Sequence, residues 1–394
     1  MSAALVPVLA VVLLDALGYT LIVPLLPMYA ERFGASPFAA SALFAAYPVF
    51  QMIAAVGLGR LSDRIGRRPV LVGSQLGTLA SFVLLAKANS LWVLFLARAL
   101  DGATAGNTTV ALAQVSDVTP PAERTRAFAL VGACFSIGFF AGPSLIAVLA
   151  GRGMHTAIWV AAGFSAASVI LSAVLIKDAR PPGVRAAAAA GRQRRGLGAM
   201  LQRRGLSALF AIHFAYALSL SVFASGFALF AERALRWSDH PYGLREIGIV
   251  CAYAALVSGA LQVFVTKRVT RAFGDQRVVL LGMLALAIDF ALFSTSPGIG
   301  LVCLCTTLGG FGQAFTKPAV SALVSRRVDP TEQGAAMGAL TSLTSASLIS
   351  GPILGGALLQ RGWLAAWALT CALSAALGAV VALRLPTEER SALP

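Results

Sequence analysis

Long apolar runs separated by short polar ones dominate the chain. Runs long enough to cross a hydrocarbon core of about 30 Å fall at 5–28, 39–59, 69–87, 91–113, 125–150 and 154–177, then at 206–231, 244–266, 277–296, 299–324, 333–359 and 362–384. Each is predicted to be a helix, because a backbone in lipid must satisfy its own N–H and C=O groups. The pattern predicts an all-α membrane protein with twelve transmembrane helices. The rhythm breaks once, at 178–204, where Pro181, Pro182 and an alanine run accompany Arg192, Arg194, Arg195, Arg203 and Arg204. That segment reads as a cytoplasmic basic linker between two six-helix bundles, an N-terminal one over 1–177 and a C-terminal one over 205–394. An internal repeat supports the division: Glu123 followed by Gly142-Pro143 recurs as Glu332 followed by Gly351-Pro352, at a constant offset of 209 residues. Parallel copies of one unit, related by an axis along the membrane normal, are what such an offset implies.

Composition narrows the function. With 58% hydrophobic and 12% charged residues in 394 and a mean hydropathy of +0.81, the chain is too apolar for a soluble domain. A net charge of +15 would suggest nucleic acid in a soluble protein, but here the basic residues lie between apolar runs. Most of them fall on the side that carries both termini, which predicts cytoplasmic termini. Membrane lipids are therefore expected partners and nucleic acid is not. The five cysteines, Cys134, Cys251, Cys303, Cys305 and Cys371, sit inside apolar runs without metal-ligand spacing, so neither metal nor cofactor is expected. No P-loop or nucleophile triad is present, and the polar loops are too short for a catalytic domain, so an enzyme is not expected. No Lys or Arg precedes the first apolar run and no cleavage site follows it, so it reads as a retained first helix.

The densest basic stretch runs from Gly59 to Leu71. Its charges exclude it from hydrocarbon, and it is predicted to form a tight cytoplasmic turn, with Gly59 and Gly66 reversing the backbone and Pro69 opening the next helix. Gly59, Asp63, Arg64, Gly66, Arg67 and Arg68 are read as a gating loop; if the helix layout implied by the resemblance given below applies, Asp63 latches onto the N-terminus of the eleventh span near Thr331.

Ionisable groups at mid-membrane depth are expensive and need a reason. Asp15 and Asp101 both lie about ten residues into their spans, close to 15 Å deep. Arg98, three residues before Asp101, can pair with either. The group is either a proton site or a static ion pair. In the second half, Asp289 stands in the ninth span and Lys317 in the tenth, within the glycine-rich run Gly309 to Pro318. Lys317 could bind an anionic group, neutralise Asp289 or snorkel to the surface. Asp15, Arg98, Asp101 and Asp289 are the proton-coupling candidates. Tyr19, Asn107, Gln313 and Lys317 are the substrate-binding candidates. His213 is a weaker proton candidate, more readily explained by helix packing. Gly138, Gly142 and Pro143, with Gly351 and Pro352, are read as helix-packing and hinge positions.

Several stretches resemble the major facilitator transporters. Gly59 to Leu71 resembles the loop between their helices 2 and 3, Leu14 to Pro27 their helix 1, and Arg98-Ala99-Leu100-Asp101-Gly102 the helix 4 motif whose arginine is linked to proton coupling. Gly138-x-x-x-Gly142-Pro143 resembles the antiporter motif of helix 5, although Ile146-Ala147 replaces its closing glycine pair. Gln333-Gly334 and Ser342-Leu343-Thr344 look like the tetracycline branch. The whole chain is thus similar to drug/proton antiporters, most of all to tetracycline/proton antiporters. The resemblance implies the major facilitator fold with a central cavity lined by helices 1, 4, 7 and 10. It implies a monomer in a bacterial inner membrane that exports a small amphipathic compound in exchange for protons, by alternating access. Two departures bear on substrate: tetracycline pumps carry functional acids in helix 3, where this chain has Ser81, and in helix 9, where it has Leu286. An organic-anion or metabolite transporter using Lys317 and Arg98 for substrate charge is the alternative.

Overall fold

A computed structural model describes residues 5–120, 123–176, 205–295, 298–329 and 332–385. The linker expected at 178–204 lies outside them. Nearly every expected span is present as a helix. α1 (Leu5–Ile22) and α2 (Leu25–Glu31) form the first, interrupted at Val23-Pro24, where proline has no N–H to continue the ladder. α3 (Pro37–Ile65) starts on Ser36, whose hydroxyl accepts the Ala39 N–H at 3.2 Å, with proline at the first helical position. α4 (Arg67–Ala86) follows at once.

This corrects the reading of the basic stretch. Almost all of it is helical: Gly59 lies inside α3, Pro69 is the third residue of α4, and the reversal is made by Gly66 alone at φ 107 and ψ 161. That backbone region is open only to glycine, so one residue does what a longer turn was expected to do. Arg67 reaches the Ser62 hydroxyl at 2.5 Å and Asp117 at 3.4 Å. Arg68 donates to the Ala173 carbonyl. Both tie the reversal to neighbouring helix ends. The Asp63 side chain and Thr331, the two ends of the expected latch, lie outside what the structure describes.

The second correction concerns the run at 91–113. It is two helices, α5 (Leu91–Ala103) and α6 (Asn107–Val118), parted at Thr104–Gly106. A Cβ at Gly102 would collide with the Tyr47 carbonyl of α3, and one at Gly106 with the Ser74 hydroxyl of α4. Glycine permits both approaches. With that run divided, eleven helices among the described residues are long and apolar enough to cross a membrane.

α7 (Arg124–Leu149) and α8 (Met154–Leu175) end the first half. The second begins with α9 (Leu206–Ala234), followed by a two-stranded antiparallel hairpin, β1 (Arg236–Trp237) with β2 (His240–Pro241). α10 (Leu244–Ala260) runs through a π-helical turn, Leu261–Val265, into α11 (Thr266–Phe273). α12 (Asp275–Phe293), α13 (Ile299–Arg326), α14 (Gln333–Gln360) and α15 (Leu364–Leu383) complete the order.

Packing reproduces the internal repeat. α1 packs on α7 in the first half as α9 packs on α14 in the second. The repeated glycines make both contacts: Gly142 sits against Thr20 of α1, and Gly351 against Ser221 of α9. Small residues let helix backbones approach where lipid gives no hydrophobic drive to association. Thr20 also donates to the Gly138 carbonyl at 2.8 Å. The halves meet through α3 with α14 and α7 with α10, pairs that the repeat exchanges with each other.

Candidate cavity and buried carboxylates

A cavity of about 220 Å³ opens among α1, α3, α4, α5, α6 and α7 of the first half, with Leu348 of α14 contributing from the second. Asp15, Tyr19 and Thr20 of α1 line it, together with Tyr47 and Gln51 of α3, Asp101 of α5 and Asn107 at the start of α6. Phe82, Phe135 and Phe139 supply apolar surface. Such a mixture of aromatic walls and a few fixed polar groups is typical of small-molecule sites.

The sequence candidates divide between this cavity and other places. Asp15, Tyr19, Asp101 and Asn107 come together in it. The break between α5 and α6 brings Asn107 to the wall, with its amide 3.5 Å from the Thr78 hydroxyl. Arg98 does not line it. It pairs with Asp101 at 2.7 Å, both residues 3% exposed, and its guanidinium carbon lies 4.7 Å from the Tyr47 ring centroid. Of the two partners open to Arg98, the structure therefore chooses Asp101. Tyr19 and Tyr47 lie with ring centroids 5.8 Å apart, and Gln51 donates to the Tyr47 hydroxyl at 3.0 Å. The lining holds two carboxylates and no Lys or Arg.

Asp289 lies elsewhere, buried in α12 against Gly309, and its Oδ1 has no hydrogen-bond partner among the described residues. Gln313 and Lys317 are exposed on α13 and are not among the cavity-lining residues. His213 is buried in α9 with Nε2 2.9 Å from the Thr344 hydroxyl of α14. Ser81 and Leu286, which stand where the resemblance expects acids, are both fully buried.

Tyr47, Gln51, Thr78 and the three phenylalanines were not singled out from sequence. Neither were Ser168 of α8 and Gln75 of α4, which stand behind Asp15: Ser168 donates to Asp15 Oδ1 at 2.6 Å, and Gln75 donates to Ser168 at 2.8 Å. Ser165, Ser168 and Ser172 are spaced to share one face of α8, which marks a polar stripe but neither Gln75 nor which serine meets Asp15.

The model of the Major Facilitator Superfamily matches residues 8–268 and again 209–394. The chain is 33% identical to the class C tetracycline resistance protein of Escherichia coli, over 89% of this chain and 88% of that protein. It is likewise 33% identical to the class G protein of Vibrio anguillarum, over 93% of each. Multidrug resistance protein 2 of Bacillus subtilis is 26% identical over 87% of this chain and 85% of that protein. Among solved structures, the nucleoside transporter NupG has a TM-score of 0.78 at 15% identity, covering 97% of this chain and 98% of that one. The human organic anion transporter MFSD10 (TETRAN) has 0.70 at 22%, covering 96% and 98%; both show likeness of fold. The chain belongs to the Major Facilitator Superfamily, with tetracycline resistance proteins among its relatives.

Proposed function

We propose that this protein is a proton-coupled antiporter that exports a small amphipathic drug-like compound by alternating access. The observation that carries the reading is the cavity itself, where Asp15 and Asp101 share one aromatic-walled space with no basic side chain in its lining. Arg98 balances Asp101, which leaves Asp15 as the carboxylate without a cationic partner. A cation or zwitterion entering this space would meet a negative wall, and so would a proton, which is how the two can exclude each other. The relatives named for tetracycline and multidrug resistance favour an exported drug over a nutrient. The rival reading, organic-anion transport through Lys317 and Arg98, draws no support from this lining.

In the same reading the divided run α5–α6 counts as one broken span, bringing the total to twelve. Residues 1–177 and 205–394 are the two moving bundles, and both termini are cytoplasmic. The test is a pH-sensing dye inside proteoliposomes, with an inward-directed gradient of a cationic amphipathic compound. Antiport moves protons out and alkalinises the lumen; anion symport acidifies it when an anionic compound is used. Asp15→Asn is expected to abolish the proton signal while reconstituting normally, and Asp101→Asn to abolish it per reconstituted molecule at a lower yield, because it strands the buried Arg98. Wild-type proton exchange in both variants would refute the assignment.

A further inference from the structure

We propose that Ser168 and Gln75 form a buried relay that sets the proton affinity of Asp15 from the side away from the cavity, acting as positioning residues for coupling. The inference rests on the reading of Asp15 as a proton site. The cavity lies in front of this carboxylate and the relay lies behind it, in the contact between α1, α4 and α8. Ser168 and Gln75 are both fully buried and are not among the cavity-lining residues, so substrate does not touch them. Every donor in the relay points toward the carboxylate: the Gln75 amide to the Ser168 oxygen at 2.8 Å, and the Ser168 hydroxyl to Asp15 Oδ1 at 2.6 Å. Donors aimed this way favour the ionised carboxylate, and the amide strengthens the hydroxyl as a donor by polarising it.

The relay can also run in reverse. Gln75 Oε1 is buried and has no hydrogen-bond partner among the described residues. When Asp15 is protonated, its O–H can donate to the Ser168 oxygen, and the Ser168 hydroxyl can turn to donate to Gln75 through its idle carbonyl after an amide flip. A glutamine side chain offers both a donor and an acceptor at one position, so one residue can meet the Ser168 hydroxyl in either protonation state of Asp15.

Few other groups stand near Asp15, and the Asn107 side chain reaches it from the cavity wall. Asp101 faces it across the cavity with its charge met by Arg98, and the Tyr19 and Tyr47 phenols line the same space. α7 brings the Cys134 thiol to the cluster containing Val11 and Val12. At this depth α4 and α8 present uncharged side chains, which makes the relay the polar contact on that side.

The test measures proton-driven drug uptake into everted vesicles across pH for the whole protein, with Ser168→Ala, Ser168→Thr, Gln75→Leu and Asp15→Asn. Removing the hydroxyl lets the protonated form persist to higher pH. The half-maximal pH should therefore move about one unit alkaline in Ser168→Ala, a tenfold change in proton affinity. It should move less in the same direction in Gln75→Leu, and stay at the wild-type value in Ser168→Thr. In an Asp15→Asn background Ser168→Ala should change nothing further. If Asp15→Asn keeps the wild-type profile, the Asp15 reading itself fails. If Asp15→Asn loses its pH dependence while Ser168→Ala superimposes on wild type at equal abundance, the relay is refuted and Asp15 stands.

Discussion

Arg98 and Asp101 are each 3% exposed and 2.7 Å apart, so neither can be removed alone without stranding the other. A buried charge that loses its partner costs about 3–5 kcal/mol, whereas replacing both by apolar residues of similar size is often neutral. Arg98→Met is therefore expected to lower the amount of monodisperse protein recovered in detergent, and Arg98→Met with Asp101→Leu to restore it. Transport should stay absent in both if Asp101 also serves coupling; size-exclusion profiles and drug uptake read the two effects separately. The three charges Asp15, Arg98 and Asp101 were legible in the sequence because charges inside an apolar span are rare and demand a reason, but which acid Arg98 meets was left open until the structure paired it with Asp101. Ser168 and Gln75 were not, since small polar residues are tolerated at many points in a membrane helix and only geometry singles out the ones aimed at Asp15. Lys317 shows the opposite limit: its charge drew notice, yet its position on the exposed face of α13 brings it to no carboxylate partner among the described residues.

Apolar runs fix where helices lie, but the breaks inside them are decided by neighbours. Nothing in Thr104-Ala105-Gly106 forbids a helix as proline would; the interruption goes with the close approaches of Gly102 to α3 and Gly106 to α4, which are tertiary facts. The repeated glycine-proline motif was legible for the opposite reason, because two copies in one chain announce a shared task. Its partners, Thr20 and Ser221, could not be read from the motif alone. Gly142→Val would push its added atoms into Thr20 and the backbone of Leu21, and overpacking of this kind costs about 1–3 kcal/mol. Gly132→Val in the same helix meets open space. Thermal unfolding in detergent is expected to fall for the first and hold for the second; equal transitions would mean that α1 and α7 can separate at little cost.

The whole molecule is closed at one end. Arg233 at the end of α9 ion-pairs with Glu31 at the end of α2, and Ser36 reaches Gln360 at 3.4 Å. On the same face Gly356 lies against Phe38 and Ser41, and Gly248 against Pro143 and Ala147. All these contacts join the two halves on the side away from Leu5 at the start of α1 and Leu385 just past α15. A part-exposed ion pair contributes up to about 1 kcal/mol, enough to shift a two-state population by about fivefold. Glu31→Arg should open this face, and Glu31→Arg with Arg233→Glu should close it again, as read by distances between spin labels at positions 34 and 239. An unchanged distribution in the single variant would assign the closure to the glycine contacts and the Ser36–Gln360 contact. The lopsided cavity has a further meaning for descent. If this cavity takes the drug as proposed above, then, because nearly all its lining belongs to the first half, recombination that exchanged the second half with a relative's would carry over a packing partner and leave the chemical preference where it was. New drug preferences would then arise by point changes in residues 12–139 far more readily than by shuffling halves.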